Sequence, residues 1–184
     1  MATIPEALSL ALQHHQAGRL QEAEAIYRQI LQAQPDHPGA LQLLGLVAHQ
    51  VGQHHIAVEY IRRAIALNPN AADYHNNIGE AYRALARLNE AEASYKQALA
   101  LKPAYAEPLN NLGIVLHSQG KQEEAIVHFR RALSLRPNFS DAQCNLAVAL
   151  QGKGCKREAL QVLFGGLASQ PTNVQLRRAL AEAL

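Results

Sequence analysis

Asparagine recurs in the sequence at a spacing that could serve molecular recognition. Asn77, Asn111 and Asn145 are each 34 residues apart, and Asn76 and Asn110 directly precede the first two of them. Because an asparagine amide carries both donors and acceptors, a row of such side chains can hydrogen-bond the main chain of an extended peptide without reading its side chains. Alternatively, the asparagines only solvate a helix face or join neighbouring repeats, and the sequence leaves both interpretations open.

Charged and histidine side chains recur at the same spacing. The acidic ones lie four residues before the asparagines, as Asp73, Glu107 and Asp141. A carboxylate in the first turn of a helix interacts favourably with the helix dipole, and this interpretation is favoured over ligand binding. A second stripe consists of His15, His49, Arg83 and His117. Its imidazoles would gain charge as the pH falls toward about 6, although solvation of a surface is the simpler explanation.

Leucines form the remaining surface feature, near the N-terminus. Helical spacing places four of them on or beside the face that carries asparagine later in the chain: Leu8, Leu12, Leu43 and Leu46. Such an apolar patch on a wet surface indicates contact with a ligand side chain or with another copy of the chain. Packing within an N-terminal cap explains the patch equally well.

No residue pattern in the sequence indicates catalysis, a metal or a cofactor. Adjacent histidines, as at His14 and His15, diverge on a helix, and no His-x-x-x-His spacing occurs. Gly-x-Ser-x-Gly, a glycine-rich phosphate loop and Cys-x-x-Cys are also missing. Cys144 and Cys155 would lie about 16 Å apart along a helix, too far for a disulfide. The sequence therefore predicts no cofactor, no metal site and no enzyme activity.

Composition and charge exclude several classes of partner. Of 184 residues, 48% are hydrophobic and 17% are charged, so the chain is apolar enough to fold. Seventeen Lys and Arg against fifteen Asp and Glu give a dispersed net charge of +2, without the basic patch of a nucleic-acid-binding protein. No apolar window is long enough to cross a membrane, and the segment MATIPEALSL has no basic run before an apolar core, so no secretory leader is expected. The sequence predicts a cytoplasmic protein that neither binds nucleic acid nor inserts into membranes.

Proline shows how the chain is organised. Five prolines are each 34 residues apart, namely Pro35, Pro69, Pro103, Pro137 and Pro171. With proline at position 32, a single domain over residues 1–184 is predicted, with repeats at 4–37, 38–71, 72–105, 106–139 and 140–173 and a partial unit or capping helix at 174–184. Each repeat is predicted to form an A helix, a tight turn and a B helix. Glycine occupies the turn at position 15 in four repeats, and Ala86 is the exception.

Small and large residues occupy constant positions of the repeat. Small residues predominate at positions 8, 20 and 27, where they would let two helices approach closely. Large residues that would fill the core occupy position 7, as Leu10, Leu44, Ile78, Leu112 and Leu146, and position 24, as Tyr27, Ile61, Tyr95, Phe129 and Leu163. Gly165 and Gly166 fall inside a B helix and predict the softest point of the array, since each costs about 1 kcal/mol relative to alanine.

The clearest copy of the pattern consists of Leu112, Gly113, Ala125, Phe129, Ala132 and Pro137. This pattern resembles the tetratricopeptide repeat over essentially the whole chain. The resemblance implies an all-α, right-handed solenoid of five helix-turn-helix units plus a sixth A helix, with a concave groove that binds protein segments. The segment NNLGIVLHSQGKQEEAI is also similar to repeats in the arm of O-linked N-acetylglucosamine transferases, in which an asparagine ladder holds peptide backbones.

The sequence thus predicts a noncatalytic scaffold that binds extended peptides, chiefly through Asn77, Asn111 and Asn145. Chaperone-tail receptors of the same family clamp a C-terminal carboxylate with lysine and arginine. Here acidic residues occupy the position of the clamp's lysine, which disfavours that function. Two alternatives stay open, the substrate-recognition arm of a larger glycosyltransferase and a self-assembly module that uses the leucine patch.

Overall fold

The computed structural model describes residues 3–184, which form helices joined by short turns. Within that range there are eleven helices and no strand. Their bounds are α1 (Ile4–Gln16), α2 (Leu20–Ala33), α3 (Pro38–Gln50), α4 (His54–Leu67), α5 (Ala72–Ala84), α6 (Leu88–Leu101), α7 (Ala106–Ser118), α8 (Gln122–Leu135), α9 (Ser140–Gly152), α10 (Lys156–Ser169) and α11 (Val174–Ala183). Odd-numbered helices are the A helices and even-numbered ones are the B helices. Every described A helix begins at the first residue of its repeat.

The chain divides into two compact units, Met1–Glu90 and Ala91–Leu184. In the first unit, α1 packs against α2, α2 against α3, α3 against α4 and α4 against α5. In the second, α7 packs against α8, α8 against α9, α9 against α10 and α10 against α11. A helices also contact each other directly, α3 with α5, α7 with α9 and α9 with α11. None of the helices in residues 3–184 has the length and apolar character that crossing a membrane requires.

Small residues let the two helices of a repeat approach closely, as the sequence predicts. The alanines at position 20 are all fully buried, namely Ala23, Ala57, Ala91, Ala125 and Ala159. A Cβ on Gly45 would lie 2.6 Å from Ile61 Cγ1, and one on Gly113 would lie 2.5 Å from Phe129 Cε1. At position 24 the large side chains are at most 1% exposed, which confirms them as the core between the helices.

One side chain predicted in the core is exposed. Leu10 at position 7 is 48% exposed, whereas Leu44 and Leu112 at the same position are 2% and 1% exposed. The prediction was wrong for Leu10 because, within residues 3–184, no helix precedes α1 to cover this face. Position 10 shows the opposite effect, since direct contact between A helices buries residues there that the sequence did not single out: Val47, Ala81, Val115 and Ala149.

The turns between A and B helices each contain one residue in the left-handed conformation. Gly18, Gly52, Gly120 and Gly154 have φ angles between 74° and 81°. Ala86 adopts the same conformation with a φ of 56°. Because the Cβ of an L-residue is crowded there, this costs Ala86 about 1–2 kcal/mol.

The two adjacent glycines lie inside α10, which runs without interruption from Lys156 to Ser169. A Cβ on Gly166 would lie 2.6 Å from Gln143 Oε1 and 3.0 Å from Leu176 Cδ1, so close packing explains this glycine. A Cβ on Gly165 would meet nothing within 4 Å. Softness at these glycines stays a prediction. Leu176, fully buried, belongs to α11, which packs against α9 and α10.

Candidate functional site

The candidate binding residues lie at positions 2, 5, 6, 9 and 12 of the A helices, a surface that we call the A-helix face. In the second unit it is formed by α7 and α9, which contact each other. Asn145 Nδ2 donates a hydrogen bond to Asn110 Oδ1 over 2.9 Å. Asn110 is only 4% exposed, whereas Asn111 and Asn145 are half-buried. This bond joins neighbouring repeats, as the alternative interpretation of the asparagines predicts, and burial makes Asn110 a support for Asn145 instead of an exposed contact.

A small hollow lies beside Asn145 on the same face. Ile114 and His117 of α7 and Val148 of α9 line it, and its volume is about 70 Å³. Val148 is 51% exposed, so the hollow opens to solvent next to the asparagine amide. The sequence analysis did not single out Ile114 and Val148, although both lie at position 9, three residues after the asparagines of position 6. The hollow combines a polar wall with apolar walls.

The acidic side chains of this face differ in their surroundings. Arg136 Nη1 donates a hydrogen bond to Glu107 Oε1 over 2.8 Å, so the charge of Glu107 is balanced within the second unit. Asp73 and Asp141 are exposed in the first turns of α5 and α9, where the helix dipole favours them. Exposed carboxylates at these places would favour neutral or basic peptides over acidic ones.

In the first unit, α5 carries a comparable arrangement. Asn76 is 4% exposed, and its Nδ2 donates to Asn77 Oδ1 over 3.3 Å and to Glu80 Oε1 over 3.0 Å. Like Asn110, Asn76 is buried and supports its neighbour. The sequence placed Asn76 on the surface as a contact residue, and its burial corrects that prediction. Asn77 is half-buried on the A-helix face. Sequence reasoning missed Glu80, although its spacing of four residues from Asn76 places both on one side of the helix.

The leucine patch is only partly available for contacts. Leu8 and Leu43 pack against the hydrophobic core of the first unit. Leu46 is half-buried, and Leu12 is 39% exposed. Packing thus accounts for two of the four leucines, and Leu12 is the most accessible of them. Self-association through this patch stays a prediction.

Two members of the predicted histidine stripe have different environments in the first unit. His15 Nε2 lies 3.0 Å from Gln50 Oε1, and His15 Nδ1 lies 3.4 Å from the hydroxyl oxygen of Tyr27. Burial raises the pKa of Tyr27 to about 12, so its hydroxyl stays protonated at neutral pH. Arg83, by contrast, is exposed.

A contact between two imidazoles, which the sequence analysis missed, crosses the turn between α3 and α4. His49 Nδ1 and His54 Nδ1 are 3.1 Å apart, and the ring centroids are 4.8 Å apart. At this distance one nitrogen donates and the other accepts, so both rings cannot be charged in this geometry. Burial lowers the pKa of His49, and His54 adds to the effect. Their spacing of five residues across a helix boundary is the only sequence signal for the contact.

Metal and thiol chemistry receive no support from the described residues. Among residues 3–184, no three histidine, cysteine or acidic side chains gather closely enough to hold a metal ion. Cys144 and Cys155 are free thiols. Burial raises the pKa of Cys144, with smaller contributions from Asp141 and Glu182, so its thiol stays protonated and is a poor nucleophile.

Two family models match most of the chain. One, described as a tetratricopeptide repeat, matches residues 3–69, and the other, described as a TPR repeat, matches residues 79–120 and 115–154. Among curated proteins, tetratricopeptide repeat protein 7B of Homo sapiens is 33% identical over 67 residues, and that of Mus musculus is 34% identical over 58 residues. These segments cover 36% and 32% of this chain. They span only 8% and 7% of the length of those relatives.

Solved structures confirm the helical-repeat fold. TTC0263, a thermophilic TPR protein of Thermus thermophilus, has a TM-score of 0.82 and 26% identity, with 98% of each chain covered. MamA has a TM-score of 0.78 and 25% identity over 88% of this chain and 94% of that one. YrrB, described as a TPR protein with an unusual peptide-binding site, has a TM-score of 0.74 over 99% of this chain and 93% of its own. Its identity of 20% makes it evidence for the fold alone.

Proposed function

Because the chain belongs to the tetratricopeptide repeat family, we propose that it is a noncatalytic scaffold that binds extended peptide segments on its A-helix face. The family matches support a role in protein interaction and indicate no enzyme family. Peptide binding by Asn77, Asn111 and Asn145 is the finer part of the proposal. In this proposal Asn76 and Asn110 hold the binding asparagines in place. The acidic side chains of Asp73, Glu107 and Asp141 set the charge of the face.

The observation that carries the proposal is the hydrogen bond from Asn145 to Asn110. It holds the Asn145 amide in one orientation and uses only one of its two N–H groups. The other N–H and the Oδ1 have no partner within residues 3–184. A donor and an acceptor presented side by side match the carbonyl and N–H groups of an extended peptide. Because the amide is already ordered, binding costs less side-chain entropy.

The hollow beside Asn145 adds a preference for one kind of side chain. Alternate side chains of an extended peptide point to the same side, so a main chain held at Asn145 would place one of them against Ile114 and Val148. A hollow of about 70 Å³ with apolar walls suits a small aliphatic group. We therefore expect peptides with alanine or valine at this place to bind better than peptides with bulky side chains.

The test compares Asn145→Ala with Asn138→Ala, an exposed asparagine of the same unit that lies outside the A-helix face. Tiled peptide arrays select ligands of the wild-type chain, and fluorescence anisotropy then gives their affinities. Loss of one or two main-chain hydrogen bonds should weaken binding about threefold to tenfold in Asn145→Ala. Asn138→Ala should bind within about twofold of wild type on the same scale. Equal affinities for both variants, with unchanged helicity, would refute the proposal.

A second candidate function follows from the regular 34-residue spacing of Asn77, Asn111 and Asn145. The similarity to the arm of O-linked N-acetylglucosamine transferases favours a role in which the same face delivers acceptor peptides to a catalytic domain. Main-chain reading without side-chain selectivity would support it, because such an arm must accept many sequences. A strong preference for one peptide sequence would argue against it.

We also propose a cytoplasmic location. Its support is that both cysteines, Cys144 and Cys155, are free thiols, which suits a reducing compartment. Fractionation of cells that express the protein would test this placement.

A further inference from the structure

A second cleft lies between α2 and α4 of the first unit, apart from the A-helix face. Its volume is about 300 Å³, at the lower end of the range for ligand sites in proteins. Arg28 and Leu31 of α2 line one side, and Tyr60 and Arg63 of α4 line the other. Leu44, only 2% exposed, contributes to the lining as well.

The cleft has an apolar floor and an apolar extension. Leu31 and Tyr60 pack against the hydrophobic core of the first unit, which holds both in place. A narrower hollow shares Arg28, Leu44 and Tyr60 with the cleft, reaches Val51 and Ile56, and is also bordered by Glu24. Val51 and Ile56 are 50% and 40% exposed, so both side chains are accessible to a ligand. The site is therefore elongated, with Arg63 at one end, Val51 and Ile56 at the other, and Arg28 beside both parts.

The two arginines are held in place by contacts that leave donors for a ligand. Arg28 donates from Nε and Nη2 to Glu24 Oε1, over 2.9 Å and 2.7 Å, and also hydrogen-bonds Tyr60, so most of the donors left for a ligand belong to Arg63. Arg63 Nη2 donates to the carbonyl of Pro35 over 3.2 Å and lies 3.8 Å from Asp36 Oδ1. The Nε and Nη1 groups of Arg63 have no partner within residues 3–184. The ion pair between Arg63 and Asp36 is long and exposed, so it contributes little free energy. A ligand carboxylate can therefore replace Asp36 at small cost.

The second unit shows which part of this arrangement is structural. There Arg131 Nη2 donates to the carbonyl of Pro103 over 3.2 Å, the same contact that Arg63 makes with Pro35. One N–H group of Arg63 thus makes a structural contact that recurs in the repeats. At the position of Arg28 the second unit has Lys96, which bonds Glu92 over 2.6 Å. The combination of two arginines with a tyrosine is a property of the first unit, and the repeat does not require it.

We infer that this cleft binds an acidic, extended peptide segment of a partner protein. A carboxylate of the peptide accepts hydrogen bonds from Arg28 and Arg63, and an aliphatic side chain further along covers Val51 and Ile56. Guanidinium donors select the acid: Glu24 and Asp36 offset part of the charge of the two arginines, but the Nε and Nη1 groups of Arg63 keep their hydrogens for a ligand carboxylate. The apolar extension selects a peptide over a free anion, which would leave Val51 and Ile56 in water. This site is independent of the peptide binding proposed for the A-helix face.

The experiment uses the whole chain and labelled nine-residue peptides in which two glutamates precede two leucines. Fluorescence anisotropy at 50 mM and 300 mM NaCl should show binding that weakens with salt. Arg28→Gln and Arg63→Gln should each reduce affinity at least fivefold. The matched control, Arg62→Gln, changes an exposed arginine of the same helix outside the cleft and should stay within twofold.

Ile56→Ser removes the apolar contact without adding a charge beside Arg28 and should also reduce affinity at least fivefold. It keeps the proposal testable if loss of the contact with Pro35 destabilises Arg63→Gln. Three results would overturn the inference: equal binding of peptides with lysine in place of glutamate, full displacement by inorganic phosphate at equal concentration, or an unchanged affinity in both Arg28→Gln and Ile56→Ser. Loss of binding in Asn145→Ala would likewise assign the peptides to the A-helix face and remove them from this cleft.

Discussion

Replacing Gly113 by alanine tests how closely the two helices of a repeat must approach. The new Cβ would lie 2.5 Å, 2.8 Å and 2.9 Å from Cε1, Cδ1 and Cζ of Phe129. Carbon atoms normally approach to about 3.5–4.0 Å, so the ring or a helix must move by about 1 Å. Phe129 is only 1% exposed and borders the hollow of about 70 Å³ beside Asn145, so any shift of its ring toward that side changes the candidate site as well.

Two opposing contributions determine how far Gly113→Ala changes the free energy of unfolding. Overpacking a buried site costs about 1–3 kcal/mol, and a clash with three ring atoms within 2.9 Å places this site in the upper half of that range. Alanine inside a helix gains about 1 kcal/mol over glycine. We therefore expect a net loss of about 1–2 kcal/mol in the free energy of unfolding.

Gly165→Ala is the matched control, since it is the same substitution inside another helix of the second unit. Its Cβ would meet nothing within 4 Å, so only the helix-propensity gain of about 1 kcal/mol remains. The two variants should shift stability in opposite directions. Adding Phe129→Leu to Gly113→Ala should recover part of the loss, because the fifth repeat carries Ala147 and Leu163 at these two positions.

Urea titration followed by far-UV circular dichroism measures these changes. Arrays of repeats do not always unfold in one step, so amide hydrogen exchange in α7 and α8 should localise the effect of Gly113→Ala. If Gly113→Ala is as stable as wild type, or gains as much as Gly165→Ala, the close approach of the two helices does not control stability. Additivity of Gly113→Ala and Phe129→Leu would contradict the same reasoning.

Two further predictions concern the first unit. Ala86→Gly should raise the free energy of unfolding by about 1 kcal/mol, because glycine adopts the left-handed turn without the strain of a Cβ; a lower urea midpoint would contradict this. The pKa of His49 is lower in the folded protein than the ordinary histidine value of 6.5. As the pH falls below that value, His49 therefore binds a proton more readily in the unfolded chain than in the folded one. Stability should therefore fall as the pH drops below that value, and His54→Gln should reduce the slope between about pH 7.5 and 5.5. An identical slope in urea titrations of both proteins would show that this pair does not couple folding to pH.

The fold follows from the sequence to a large extent because its determinants are local and repeat. Proline at position 32 and glycine at position 15 restrict the backbone wherever they occur, and five copies in register reinforce one another. Ala86 shows the strength of this constraint. It adopts the left-handed turn in spite of its Cβ, because the helices on both sides of it require that conformation.

The candidate site was less predictable, because its geometry depends on neighbours one repeat away. The helical wheel identified Asn145 and Asn110 as members of one face, but their hydrogen bond joins residues 35 positions apart. Asn110 is buried where α9 packs against α7, and the bond uses only one N–H group of the Asn145 amide. The hollow beside Asn145 likewise combines residues from α7, α8 and α9.

The sequence by itself determined the helices, their register and the turns between them, since these depend on conformational limits of single residues and on spacing along one chain. Only the tertiary structure decided which side chains of each helix are covered. Leu10 is exposed although its counterparts are buried, and Arg28 and Arg63 border an open cleft although their spacing in sequence suggests nothing. The physical reason is that burial depends on the helices packed against a residue, whereas periodicity describes only the helix to which the residue belongs.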